Sequence, residues 1–193
     1  MVSVRKSHQM TQTSFEQWLS SLEISQEKCQ LLESIWSENK THHEIDEQCH
    51  TKSLEMVEIL ASLNLDKDSL AAAFLIPLIE NEHITLSFVE EQYCESIFLL
   101  CKGVAQMEAI KALRQSQSNK VSVNQVDNIR KMLLAMVEDV RAVVIKLAER
   151  LCQLRLVKNA DEESRVIVAK ETANIYAPLA NRLGIGQLKW ELE

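Results

Sequence analysis

At 193 residues, 46% of them hydrophobic, the chain has material for one large buried core, or for one domain and the start of a second. Three glycines and two prolines supply too few turn residues for an all-β fold or a repeated α/β fold. A net charge of −7, from 21 Lys plus Arg against 28 Asp plus Glu, makes a poor general nucleic-acid binder, which needs clustered cations to neutralise phosphates, and leaves only local basic patches open.

Met1 to His8 contains no apolar h-region, so no signal peptide is expected. Phe15, Trp18, Leu19 and Leu22 then follow the i, i+3, i+4, i+7 pattern of an amphipathic helix, with Thr13 and Glu16 placed for a capping box. Leu32, Ile35 and Trp36 mark a second helix after Ser25. Residues 40–52 are polar and His-rich and read as a loop. Met56, Val57, Ile59, Leu60 and Leu63 give a third helix a broad apolar face. A fourth starts near Asp66 and is apolar nearly all round from Leu70 to Ile79, which marks a central buried helix of about half a membrane span. Pro77 lacks an N–H and clashes with the preceding turn, so a kink or an early stop near Ile76 is expected.

Ser87 and Glu90 suit a capping box for one helical stretch running through Ile97, Leu100, Val104, Met107 and Ile110. Gln115 to Lys120 reads as an exposed loop, and Ser122 with Gln125 as the cap of a helix whose stripe is Val126, Ile129, Met132, Leu133, Met136 and Val137. The run Ala142 to Ala148 reads as a buried helix. A last long helix from about Glu162 passes Pro178 and stops at Gly184, a suitable residue just beyond a helix end, and a new helix follows Gly186. The sum is an all-α chain of about eight to ten helices around 70–79 and 142–148.

Metal-ligating residue types are scattered. His42, His43, Cys49 and His50 could suit zinc, but their spacing is irregular and a solvated loop is the plainer reading. Glu80 and His83 could share an ion only with partners from elsewhere. The five cysteines are widely spaced without a C-x-x-C and read as small buried hydrophobes of a reducing compartment. Arg130, Lys131, Arg141, Lys146, Arg150, Arg155 and Lys158 could form a vestigial phosphate-binding face. Salt bridges to the surplus acids are the larger expectation.

Three segments carry a family resemblance: Ala71 to Asn81, Val140 to Arg155, and Asn174 to Gly186. Together they resemble the hydrolase-side half of the RelA/SpoT family, which makes and degrades (p)ppGpp, over roughly 50–193. The resemblance implies an HD-domain-like helical bundle over 1–173, with 174–193 opening a helical connection to a synthetase domain. Active hydrolases of that family hold a divalent metal, usually manganese, through two histidines and two aspartates. The metal polarises water and the pyrophosphate under attack. Here the first histidine position falls near Lys52-Ser53 and the His-Asp pair on Ile76-Pro77. The last aspartate falls on Glu149, the catalytic Glu-Asp pair on Glu80-Asn81, and a His-Asn pair on Cys152-Gln153. The guanosine loop, built around Arg-His-x-Gly, has no match in 40–52, which lacks arginine and glycine.

The resemblance therefore implies a degenerate domain with no catalytic residue, no metal and no cofactor. Lys52, Ile76, Pro77, Glu80, Asn81, Glu149 and Gln153 stand as relics. Glu149 should pair with Lys146, Arg150 or Lys189, or reach solvent. The implied parent is a cytoplasmic GTP pyrophosphokinase that associates with ribosomes and uncharged tRNA, without membrane contact, and a homodimer is left open. An active hydrolase with atypical ligands and a free-standing helical interaction module are the alternatives.

Overall fold

A computed structural model describes residues 12–42, 46–115 and 139–193, all helices and short connections, with no strand among the described residues. The helices are α1 (Gln12–Ser20), α2 (Gln26–His42), α3 (Glu47–Ser62), α4 (Lys67–Glu80), α5 (Leu86–Gln92) and α6 (Glu95–Gln115). They continue with α7 (Val140–Leu156), α8 (Glu162–Glu171), a π-turn (Thr172–Tyr176), α9 (Ala177–Arg182) and α10 (Gly186–Leu192). The all-α expectation holds. The expected loop at Gln115 to Lys120 and the stripe 126–137 lie outside the described residues, apart from Gln115 itself at the end of α6. The chain divides into two compact units, 1–101 and 102–193, with the division inside α6.

In the first unit α3 and α2 pack on α4. Helix α4 starts where the sequence says: the Asp66 carboxylate accepts the Ser69 N–H at 2.8 Å. Of the two outcomes expected at Pro77, an early stop near Ile76 does not occur: the helix runs on to Glu80 through Pro77. Leu75, Ile76 and Leu78 are all buried, and at roughly 1.5–3 kcal/mol each their burial exceeds the roughly 3 kcal/mol a helical proline costs. Trp36 centres an aromatic cluster, stacked on Phe15 at 4.3 Å and edge-on to Phe74 at 6.4 Å.

Several boundaries differ from the sequence reading. The His-rich stretch is mostly helix: α2 extends to His42 and α3 begins at Glu47, with the Asp46 carboxylate accepting the Cys49 N–H at 2.7 Å. Asp46 wins as a cap because its carboxylate satisfies a first-turn donor that polar composition alone does not reveal. Thr85, not Ser87, caps α5, and the stretch after it is two helices broken at Tyr93-Cys94. Helix α1 begins at Gln12, so Thr13 lies inside it.

In the second unit, α7 is buried from Ala142 to Cys152 and packs against α8 and α10. The expected last helix is interrupted. Pro178 has no N–H to give, and the turn before it widens, the Ala177 N–H reaching back to the Thr172 carbonyl. Gly184 takes the left-handed φ of 71° that ends the segment. No helix among the described residues is long and apolar enough to cross a membrane.

Candidate functional site

In the first unit the candidate residues gather where α3 meets the end of α4. Lys52, two turns into α3, donates from Nζ to Glu80 Oε2 at 2.5 Å. Its neighbour Ser53 is buried and donates to the Phe74 carbonyl at 2.9 Å, tying α3 to α4. Ile76 is 2% exposed and Pro77 is buried, so these two positions on α4 carry only hydrocarbon. Asn81 caps α4, its Nδ2 donating to the Pro77 carbonyl at 2.8 Å. His83 does not turn to Glu80, as a shared ion would need, but lies 3.3 Å from Asp46 Oδ2 through Nε2.

The remaining His and Cys here are packed, not displayed. Cys49 is buried, and its thiol is pushed up to about 12 by that burial, with Asp46 adding to the effect. His50 sits 4.8 Å from the Trp36 ring, and burial pushes its imidazole below the usual histidine range. Neither belongs to the solvated loop the sequence suggests. His43 lies outside the described residues, as does the side chain of His42.

The second unit holds the other candidates on α7. Lys146 is 2% exposed and Glu149 6%. The ammonium of Lys146 contacts the Glu149 carboxylate one turn on, and Glu108 Oε2 at 2.8 Å. The expected pairing of Glu149 with Lys146 is thus present, while Glu108 has no signal in the local pattern. Arg150 is almost wholly buried, 3.1 Å from Glu171 Oε2, with its guanidinium 4.3 Å over the Tyr176 ring. Burial works against its charge, but Tyr176, Glu171 and Glu149 more than compensate and hold it above the usual arginine range. Gln153 is half-buried near the end of this face.

Several further cations are also engaged. Arg141 forks onto Asp139 at 2.5 and 2.9 Å, and Arg155 reaches Glu191 at 2.7 Å. Arg130 and Lys131 lie outside the described residues. The basic residues of α7 thus form ion pairs and not an open phosphate face. A cleft of about 650 Å³ opens beside α7, lined by Leu151, Leu154, Arg155, Lys158, Arg165 and Glu191. It includes neither Glu149 nor Gln153. All five cysteines are free, and Cys94 is exposed, contrary to the expectation of burial. It stands just before α6, at a helix mouth where a side chain faces water.

A divalent metal does not fit this donor set. Among the described residues no group of three His, Cys, Asp or Glu side chains converges as metal ligands must. Ile76 and Pro77 offer a metal no ligand atom from their side chains, and a lysine ammonium already contacts Glu80 and Glu149.

The HD domain family model matches residues 29–186. The chain belongs to the HD-domain family. It is 48% identical over its whole length to a GTP pyrophosphokinase of Escherichia coli (strain K12), and 42% identical to that of Haemophilus influenzae. Over 70% of its length it is 38% identical to the bifunctional (p)ppGpp synthase/hydrolase SpoT of Escherichia coli (strain K12), covering 18% of that protein. The chain spans 27% of the length of the GTP pyrophosphokinases it matches. These similarities agree with the RelA/SpoT resemblance read from the sequence.

Proposed function

We propose that the chain is the catalytically silent, regulatory HD domain of a GTP pyrophosphokinase. The observation that carries this reading is the pair of neutralised carboxylates: Glu80 is held by Lys52 and Glu149 by Lys146, while Ile76 and Pro77 present only hydrocarbon. Hydrolysis of ppGpp by a metal-activated water needs a bound ion, a placed water and an oriented nucleotide together. These residues supply none of the three. The parent enzyme would transfer pyrophosphate from ATP to GTP or GDP in the cytoplasm, with ribosomes and uncharged tRNA as partners of its other domains. Residues 174–193 would lead into the synthetase domain, and the domain would act by biasing that domain's conformation.

The 38% identity to a bifunctional synthase/hydrolase favours a second reading, a hydrolase with atypical ligands. Release of pyrophosphate from ppGpp with and without manganese separates the two. Turnover above the uncatalysed rate in the native chain would reject the silent-domain reading. In the full-length protein, removal of 1–173 should change the rate of alarmone synthesis, and an unchanged rate would reject the regulatory role.

A further inference from the structure

We propose that Arg150 is a latch that holds the wide turn after α8, so that the helical segment 162–182 has two hydrogen-bond registers and this side chain selects one of them. Glu171 stands just before the turn and Tyr176, five residues on, ends it. On a regular α-helix each residue advances about 100°, so side chains five apart point roughly 140° away from each other. One guanidinium on a neighbouring helix would then meet one of them and miss the other. The turn at Thr172–Tyr176 closes instead on the fifth residue, the Ala177 N–H reaching the Thr172 carbonyl, which brings the fifth side chain over the first. Arg150, 1% exposed on α7, accordingly touches both, Glu171 Oε2 at 3.1 Å and the Tyr176 ring at 4.3 Å. All three residues belong to the second compact unit.

Pro178 does not account for the turn by itself. Pro77 lacks an N–H in the same way, yet α4 stays α-helical around it from Lys67 to Glu80. What the segment before Pro178 adds is a buried cation in contact with both ends of the turn. Closing the wide turn into a regular one would carry Glu171 or Tyr176 away from a guanidinium that water does not reach, and a buried charge pays heavily for a lost partner. The latch requires only that Arg150 keep both contacts, whatever else Glu171 binds. It also holds whether or not the domain turns over ppGpp.

The test reads the register directly, as the NMR scalar coupling across the hydrogen bond from the Ala177 amide to its acceptor carbonyl, in the whole deuterated 193-residue chain. Pro178→Ala serves as the background, so that the proline does not oppose a regular helix. The native chain and Pro178→Ala should both show Ala177 coupled to Thr172. In Pro178→Ala with Arg150→Met that coupling should be lost and replaced by one to Ala173, the acceptor four residues back. Pro178→Ala with Leu154→Ala, which weakens the packing of α7 but removes neither contact of Arg150, should keep Ala177 on Thr172. That control separates a latch from a general loss of stability. Ala177 still coupled to Thr172 in the Arg150→Met variant overturns the proposal. So does Ala177 coupled to Ala173 in the native chain, in Pro178→Ala alone or in the Leu154→Ala control. Should the Arg150→Met variant not fold, Pro178→Ala with Tyr176→Leu removes the ring contact instead and is read in the same way. If that variant does not fold either, the cluster is a packing element and the proposal fails.

Discussion

Replacing Arg150 with methionine should be the most damaging single change in the second unit. Methionine keeps length and apolar bulk but removes the charge, leaving Glu171, whose side chain is 13% exposed, without the guanidinium 3.1 Å away. Removing one partner of a buried pair costs about 3–5 kcal/mol, and the partial solvent access of Glu171 argues for the lower end, about 3. The stack on Tyr176 at 4.3 Å adds about 1 kcal/mol as a cation–π contact. A total of about 4 kcal/mol lowers the melting temperature by roughly 8–16 °C in a chain of this size. Urea unfolding followed by circular dichroism measures it, alongside Glu171→Gln and the double variant. The double variant should recover at least half the loss, because glutamine needs no counter-charge. A loss under about 1 kcal/mol, or no recovery in the double variant, would refute the argument that charge compensation governs this site.

Other outcomes follow from the same geometry. Burial holds His50 below its ordinary range, so its contribution is complete above the unfolded value of about 6.5 and is lost as pH falls through that value towards the folded one. Melts at pH 7.5 and pH 5.5 should therefore converge in His50→Leu relative to the native chain, and an unchanged difference would remove His50 from the account. Native thiol titration should find Cys94 fast and Cys49, Cys101 and Cys152 blocked until denaturant is added, since burial pushes Cys49 and Cys101 up to about 12. Restoring only the His-Asp pair by Ile76→His with Pro77→Asp should give no ppGpp turnover, because Lys52 still holds Glu80. Pyrophosphate release above background would show the pocket to be less degenerate than argued. Ser53→Ala should cost about 1 kcal/mol in urea unfolding by removing the hydroxyl bond to the Phe74 carbonyl that ties α3 to α4.

Much of the fold is legible because its signals are local. Asp66 announces α4, and the unbroken apolar run after it says that the helix is buried on every side. The buried face of α7 is equally plain in Ala142 to Ala148. Where the reading goes astray, the cause is tertiary. Polar composition hid the start of α3, since Asp46, Glu47 and Gln48 look like loop until the Asp46 carboxylate is seen to cap Cys49. No glycine or proline marks the break at Tyr93-Cys94, so two helices read as one. The site divides the same way: Lys146 and Glu149 are an i, i+3 pair that the sequence can offer, but Glu108, Glu171 and Tyr176 join it only through folding. The basic residues looked like a patch because the acids that engage them are distant in sequence, as Glu191 is from Arg155.

The widened turn at Thr172–Tyr176 has a geometric effect beyond accommodating Pro178. Each residue of an α-helix advances the side-chain direction by about 100°. One extra residue in the turn therefore sets α9 out of phase with α8, so that a stripe drawn along 162–171 does not continue along 177–182. Deleting a single residue there, the exposed Ala173 for instance, would rotate everything after it by about 100° while shortening the axis by only about 1.5 Å. Leu188 and Leu192 would swing out of their buried positions, and Glu191 would part from Arg155. The segment behaves as an angular setting, and its length in residues is the quantity that fixes where α10 points.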